Sequence, residues 1–476
     1  MSVSLRADTR RRGMPPAPAA PGKRPGLRPG AALAVIASCN AMIQLDEPIV
    51  NIALPGMRAD LGLSPVGASW VLSAYLLAFG GLLLLGGRAG DILGRRRVFL
   101  TGVAVFTAAA AARAFVPPGE GTLIAVRAVQ GLGAACAAPS GLALLLSTFA
   151  EGPARRKAIA VCTAVGAVST AGGLLLAGAL TSLGSWRWVL LLNVPLGVAI
   201  LLLGPRVLTE TPRNPGRFDV LGALLSAAGA ACLVYALARA ADHGWSDPAV
   251  ALPLLAGLAL LAVFTAVEAR AEQPVVVLRL FADRDRLLAY LAVLAVPGAL
   301  AGAYFFLSQS FQQEGLTPLA TACVLLPVPL TMALTAGAVT RLEPFVGPKR
   351  LMALGAAALA LANLMLASLD DVTVVRVLPA LVLLGSGMAC CVIPPTVLAT
   401  SRLRGDEAGA ASSVLNALQA LGGSLGIALL VTASSGHSAF GDARSAGFTA
   451  GSLFAVVVLL AALAIRRPAR PARRPR

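Results

Sequence analysis

Apolar runs of roughly 20 residues recur along the whole chain, the length a helix needs to cross the hydrocarbon core of a bilayer. In that layer every backbone N–H and C=O must be paired internally, which leaves only helices and closed barrels. These runs are continuous rather than alternating apolar and polar, so they read as helices. Fourteen are counted, at roughly 31–55, 68–87, 97–116, 121–146, 158–182, 186–204, 218–239, 248–268, 287–306, 317–338, 349–369, 373–399, 408–432 and 446–465. The short connections between them suit a helical bundle.

Composition agrees. Of 476 residues, 57% are hydrophobic and 13% charged, with mean hydropathy +0.80, whereas a soluble domain carries about 25% charge. The net charge of +17 does not point to nucleic acid, because the basic residues sit in short clusters between apolar runs with no aromatic-interleaved basic face. Residues 1–30 and 466–476 are basic and proline-rich and read as disordered cytoplasmic tails. The first apolar run lacks a cleavage site and reads as a retained helix. The seven cysteines all fall in apolar runs, with no CxxC pair, and read as small hydrophobes, so no metal site is expected.

Charge placement tests the count. With both tails in the cytoplasm, 32 of the 39 Lys and Arg fall on the cytoplasmic side, as the positive-inside rule requires. Outside, or at outer helix ends, are only Arg58, Arg113, Arg187, Arg239, Arg376 and Arg444. A repeat also shows. Gly87-Arg88, Asp91 and Gly94-Arg95-Arg96-Arg97 follow the second run, while Arg341, Glu343 and Gly347-Pro-Lys349-Arg350 follow the tenth. Internal repeats of this kind mark two-fold transporter architectures.

Ionisable groups inside a bilayer cost about 2.5–3.5 kcal/mol each on insertion scales and mark function. Three are read as deep: Asp46 and Glu47 in the first run and Arg127 in the fourth. At about 100° per residue, Asn40, Gln44, Glu47 and Asn51 fall within a ~60° arc, and Asp46 points ~100° away from Glu47. That stripe is expected to face an aqueous cavity rather than to bind two helices together. Glu47 lies roughly 12 Å and Arg127 roughly 9 Å from the same surface, so a carboxylate and this guanidinium are expected to meet. Gln309, Gln312, Asn416 and Gln419 are candidates for pore lining in the second half. In the loop, Gly87, Arg88, Asp91, Gly94 and Arg95 are candidates for a contact made in one conformation and broken in another, through an Asp91–Arg95 pair or a helix cap.

Several segments resemble the major facilitator superfamily, and within it the fourteen-helix drug:proton antiporters, over roughly 31–466. Leu45 to Pro55 resembles the first-helix motif. Trp70-Val-Leu-Ser-Ala-Tyr75 is similar to the second-helix segment, and Gly87 to Arg97 to the signature loop. Arg127-Ala-Val-Gln130-Gly131 resembles the fourth-helix arginine motif, and Trp186 to Gly197 the sixth-helix entry. Phe218-Asp219 and Gly244-Trp245 flank what resembles the extra central helix pair.

The resemblance implies an all-α integral membrane fold with two pseudo-symmetric six-helix bundles, residues 31–206 and 286–465, and a linker at 207–285 that supplies two extra helices. It implies export of drugs and other amphipathic or cationic compounds from the cell across its plasma (inner) membrane by one monomer. A proton gradient would drive export in place of a cofactor, with Asp46 and Arg127 coupling the proton; the residues themselves add Glu47 to that set, and Tyr75 and Gln130 are candidates for the substrate cavity. Two departures stand out. Pro48 replaces the usual Thr beside an added acid, Glu47, and Gly173 to Gly178 lacks the proline of the antiporter motif. The helical angle favours Glu47 as proton carrier and the motif favours Asp46. An exporter of a single metabolite or a facilitator is the alternative function. A membrane enzyme is a third, but the chain carries no HExxH, GxSxG or P-loop, and His243 and His437 fall in expected external loops.

Overall fold

The computed structural model describes residues 29–115, 119–149, 152–211, 213, 220–243, 247–270, 278–369, 371–400, 407–435 and 440–466. The expected tails, Phe218-Asp219, Gly244-Trp245, Arg402, Arg404 and His437 lie outside them, apart from a residue or two at the inner end of each tail. Among the described residues there is no strand. The helices are α1 (Pro29–Leu61), α2 (Pro65–Leu93), α3 (Arg95–Phe115), α4 (Glu120–Thr148), α5 (Pro153–Leu183), α6 (Trp186–Leu191), α7 (Asn193–Val207), α8 (Val220–His243), α9 (Pro248–Glu268), α10 (Arg284–Gln313), α11 (Pro318–Leu325), α12 (Pro327–Val346), α13 (Pro348–Ala367), α14 (Val374–Thr400), α15 (Glu407–Ser434) and α16 (Phe440–Ala464).

Helix starts follow from local chemistry. Ser64 Oγ accepts from Gly67 N at 2.9 Å, Asp247 Oδ1 from Ala249 N at 2.7 Å and Thr317 Oγ1 from Ala320 N at 3.2 Å. In each case a proline follows at the first helical position, where its missing N–H costs nothing. Two rods are interrupted by a single residue, Leu192 between α6 and α7 and Leu326 between α11 and α12. Prolines just beyond each break, Pro195 and Pro327, remove the donors that would carry the hydrogen-bond ladder through.

Each of the fourteen expected runs lies on one of these rods, and twelve rods are long and apolar enough to cross a membrane. The two that fall short are α3, which carries Arg95, Arg96, Arg97 and Arg113, and α8, whose apolar stretch is the shorter Leu224–Leu237. Many helices run past the hydrophobic segment; α1 has 33 residues and spans about 50 Å at 1.5 Å per residue. α9 exposes Leu252, Leu255, Leu258 and Val263 and buries only Val250, Gly257 and Glu268, a surface suited to hydrocarbon rather than water.

The repeat is visible in the backbone. Gly94 between α2 and α3 has φ +109°, and Gly347 between α12 and α13 has φ +84°, a conformation glycine alone adopts freely. Gly102, eight residues beyond the first, meets α4 at Gly133, and Gly355, eight beyond the second, meets α14 at Gly387. A Cβ on Gly133 would sit 2.8 Å from Gly102 O, and one on Gly387 2.8 Å from Gly355 O. Backbones approach this closely only where side chains are absent.

Helix α1 is an inner helix, packed on α5, α4, α7, α6 and α10. α10 packs on α15, α16 and α14, and the α8–α9 hairpin lies against both α2 and α15. We call the face where α1 ends the Arg58 face, and the face where α2 meets α3 the Arg95 face.

Candidate functional site

The buried centre forms around Asp46, which is 0% exposed. Its Oδ1 accepts from Gln130 Nε2 at 2.7 Å, Asn193 Nδ2 at 2.9 Å and Arg113 Nη2 at 3.1 Å. Its Oδ2 accepts from Arg127 Nη1. Donors therefore converge on one carboxylate from α3, α4 and the start of α7. Arg127 is itself fixed: Nε donates to Val71 O at 2.7 Å, Nη1 to Gln130 Oε1 at 3.0 Å, and its guanidinium lies 4.4 Å from the Tyr75 ring centroid. Arg127, Gln130 and Asn193 are 0% exposed and Arg113 is 2% exposed.

The charges do not balance within this set. Two guanidinium groups face one carboxylate, and Arg113 Nε and Nη1 and Arg127 Nη2 are buried with no acceptor among the described residues. An unbalanced buried charge is costly. The next acid is Glu47, which lies within electrostatic reach of Arg127 and Asp46. Glu47 and Gln44 are exposed, although they sit on an inner helix wrapped by its neighbours. They therefore face accessible space between the helices rather than lipid. Tyr304 of α10, half-buried, lies within electrostatic reach of Glu47. Asn416 of α15 is exposed and Gln419 half-buried.

The space is closed on the Arg58 face. There Arg58 Nη1 donates to Gln309 Oε1, Gln312 Nε2 to Ile52 O at 3.2 Å, and Ser308 Oγ to Asn51 O at 3.3 Å, joining α1 to α10. Leu319 N donates to Ser182 Oγ at 3.1 Å, and Gly178 abuts Pro318, Leu319 and Ala322, joining α5 to α11. Toward the Arg95 face the helices stand apart. Between Ala154 and Val168, α5 buries only Ala158 and Gly166, and between Thr331 and Val346, α12 buries only Val339. The accessible space opens there.

Several expected residues take other places. The carboxylate that Arg127 meets, as expected of one of the two acids, is that of Asp46. Asn51 is buried and its Nδ2 donates to Glu47 O at 3.1 Å, because the helix carries it past the open sector. Asn40 Nδ2 donates to Cys162 O of α5 at 3.0 Å, so it ties two helices together. Gln309 and Gln312 seal the Arg58 face instead of lining the pore. Tyr75 and Gln130 belong to the buried centre, not to the accessible space. In the loop, Asp91 Oδ1 accepts from Arg95 Nε at 3.0 Å and Nη2 at 2.9 Å, the expected pair. A Cβ on Gly87 would meet Pro139 at ordinary distance, and Gly94 supplies the positive φ at the α2–α3 junction.

Four residues escaped the sequence reading. Arg113 reads as the outer end of a run, but an arginine among alanines on the side where positive charge is disfavoured was a signal of burial. Asn193 was legible only as part of a resemblance, and Tyr304 carried no mark apart from its place in an apolar run. Glu210 follows α7 and accepts from Arg96 N at 3.0 Å and Arg97 N at 3.3 Å, capping α3; nothing in the sequence pairs positions 114 apart. No group of three or more His, Cys, Asp or Glu suited to a metal ion occurs among the described residues.

A family model described as Major Facilitator Superfamily matches residues 36–427. The puromycin resistance protein pur8 of Streptomyces alboniger is 39% identical over 90% of this chain and 88% of its own length. The cephamycin export protein CmcT of Amycolatopsis lactamdurans is 37% identical over 93% of each. Among solved structures, an auto-inhibited POT family peptide transporter superposes with a TM-score of 0.66 at 17% identity, covering 94% of this chain and 99% of that one.

Proposed function

Because the chain belongs to the Major Facilitator Superfamily, we propose that it is an antiporter that exports small amphipathic or cationic compounds, antibiotics among them, in exchange for protons. Membership in this transporter superfamily sets aside the membrane-enzyme reading. The observation that carries the proposal is the mid-depth carboxylate pair: one acid clamped by arginines, the next open to space between the helices. Such a site can hold either a proton or a cation, and mass action then enforces exchange.

The relatives support the cargo, since one is named for puromycin resistance and the other for cephamycin export. Those names each concern one antibiotic, which favours a narrow exporter as a second reading. The α1–α7 and α10–α16 contacts support two six-helix bundles with α8 and α9 as the extra pair, fourteen spans in all. The basic clusters support a plasma membrane orientation with the Arg95 face and both tails in the cytoplasm. In this orientation the structure is open inward, and one chain holds the whole site.

Dye or antibiotic uptake into inverted vesicles under an imposed proton gradient tests the proposal. Uptake that collapses with a protonophore is expected; uptake indifferent to the gradient would overturn the coupling and leave a facilitator.

A further inference from the structure

A recess of about 640 Å³ indents the Arg58 face between the end of α1 and the end of α10. Pro55 and Leu63 supply apolar wall, and Arg58, Gln309, Gln312 and Gln313 supply the polar groups. A Cβ on Gly62, at its rim, would meet nothing within 4 Å. The volume suits a drug-sized organic molecule, and sites for such molecules combine apolar wall with a few convergent polar groups.

The charge in this recess has no counterpart. Arg58 is half-buried, and among the described residues it makes no ion pair. Its Nη1 donates to the amide oxygen of Gln309, while Nε is buried with no acceptor. Asp60 lies two residues on, about 200° round the helix, and is already engaged. Trp186 Nε1 donates to its Oδ2 at 2.8 Å and Arg187 Nη1 at 3.2 Å. Glu314, next to Gln313, is exposed and does not pair with Arg58. Nor does topology call for an arginine on the face opposite the basic clusters. A guanidinium with donors to spare fits an acceptor that offers two oxygens and a negative charge.

We propose that this recess binds an organic carboxylate from outside the cell, and that the bound carboxylate draws Arg58 away from Gln309 and loosens the seal between α1 and α10. The proposal rests on the orientation given above, with the Arg58 face outward. A carboxylate displaces an amide oxygen because it bears the opposite charge and accepts two hydrogen bonds from one guanidinium. The flanking amides assist. Gln309 Nε2 donates to Phe305 O at 3.0 Å and Gln312 Nε2 to Ile52 O at 3.2 Å, and each keeps a second N–H. Once Arg58 turns to the ligand, the polar links left between α1 and α10 are Gln312 to Ile52 O and Ser308 to Asn51 O. In the sealed form Gln309 competes with the ligand for Arg58; in a form parted on this face it does not. The ligand therefore shifts the population toward the parted form. External organic acids gain a hold on the conformational equilibrium at a site apart from the buried acids.

The test uses the purified full chain with benzylpenicillin, a monocarboxylate, and its uncharged methyl ester. Titration calorimetry in detergent should show the acid binding at one site and the ester at least about tenfold more weakly. Arg58→Gln should weaken the acid to the level of the ester, and Arg58→Lys should keep part of the affinity. Gln309→Leu removes the competing acceptor and should tighten the acid, which a purely structural role for Arg58 would not produce. A melting curve confirms that each variant is folded. Equal affinity for acid and ester would overturn the proposal, as would acid binding that Gln309→Leu leaves unchanged or weakens. Displacement of the acid by an equal concentration of phosphatidylglycerol or inorganic phosphate would assign the recess to a phosphate headgroup or a small anion and overturn it too. In right-side-out vesicles of a cysteine-free background carrying Asn51→Cys, the acid should speed maleimide labelling several-fold, with no such effect when Arg58→Gln is added. Binding in detergent has no sidedness. Acid that binds there but speeds labelling only in inverted vesicles fails the orientation, whereas acid that binds and changes labelling in neither overturns the link to the seal.

Discussion

Arg113 Nη2 lies 3.1 Å from Asp46 Oδ1, and it joins an ion pair that Arg127 already makes from the neighbouring helix. Three spans are thereby pinned to one carboxylate. Removing the carboxylate strands both guanidinium groups, while removing Arg113 leaves Asp46 with Arg127, Gln130 and Asn193. Asp46→Asn is therefore expected to destabilise the protein by about 3–5 kcal/mol and Arg113→Met by markedly less. Thermal unfolding in one detergent, read by intrinsic fluorescence, checks the order; Arg113→Met melting below Asp46→Asn would contradict it.

The α2–α3 junction couples two positions 116 residues apart. Gly94 has φ +109°, and a Cβ there would come within 2.8 Å of the Glu210 carboxyl that caps α3. Gly94→Ala should cost about 1–2 kcal/mol from backbone strain, with an added steric share. Glu210→Ala should cost about 1 kcal/mol as a lost cap. The double variant removes the steric share but not the strain. Its loss should fall short of the sum of the single variants, and a double-mutant cycle of melting measurements would show it. Strict additivity would mean that the two positions do not touch.

The Arg58 face is held by few polar contacts. Arg58→Ala removes the donor to Gln309, and Gly178→Ala places a methyl 2.8 Å from Pro318 O at the α5–α11 seam. Both changes should shift the population toward a form open on that face. A cysteine placed at Asn51 in a cysteine-free background should then be labelled several-fold faster by a maleimide added from outside intact cells. Unchanged labelling in both variants would show that the seal lies elsewhere.

Asn40 serves packing. Asn40→Ala deletes the hydrogen bond to Cys162 O and should cost about 0.6 kcal/mol, the average for polar contacts between spanning helices, without altering ethidium affinity. A large loss of affinity with normal melting would place Asn40 in the binding space after all.

Much of the molecule was legible in the order of its residues. The apolar runs set where the helices lie, because each run must pair its own backbone in lipid, and Asp46, Glu47 and Arg127 stood out because charge in that medium is costly. The repeat was legible too, since positive-φ glycines at 94 and 347 leave a local mark. Helical angle placed Glu47 on the open side. What remained was partner choice. Whether Arg127 meets Asp46 or Glu47, whether Arg113 is at a surface or buried, and whether Gln309 lines a pore or seals a face depend on which helix comes to lie beside which, and at what rotation. Periodicity gives each helix its own polar stripe but no information about its neighbour's. Only the packed structure, with backbones in contact at Gly102–Gly133 and Gly355–Gly387, fixes those rotations and so decides which charges meet.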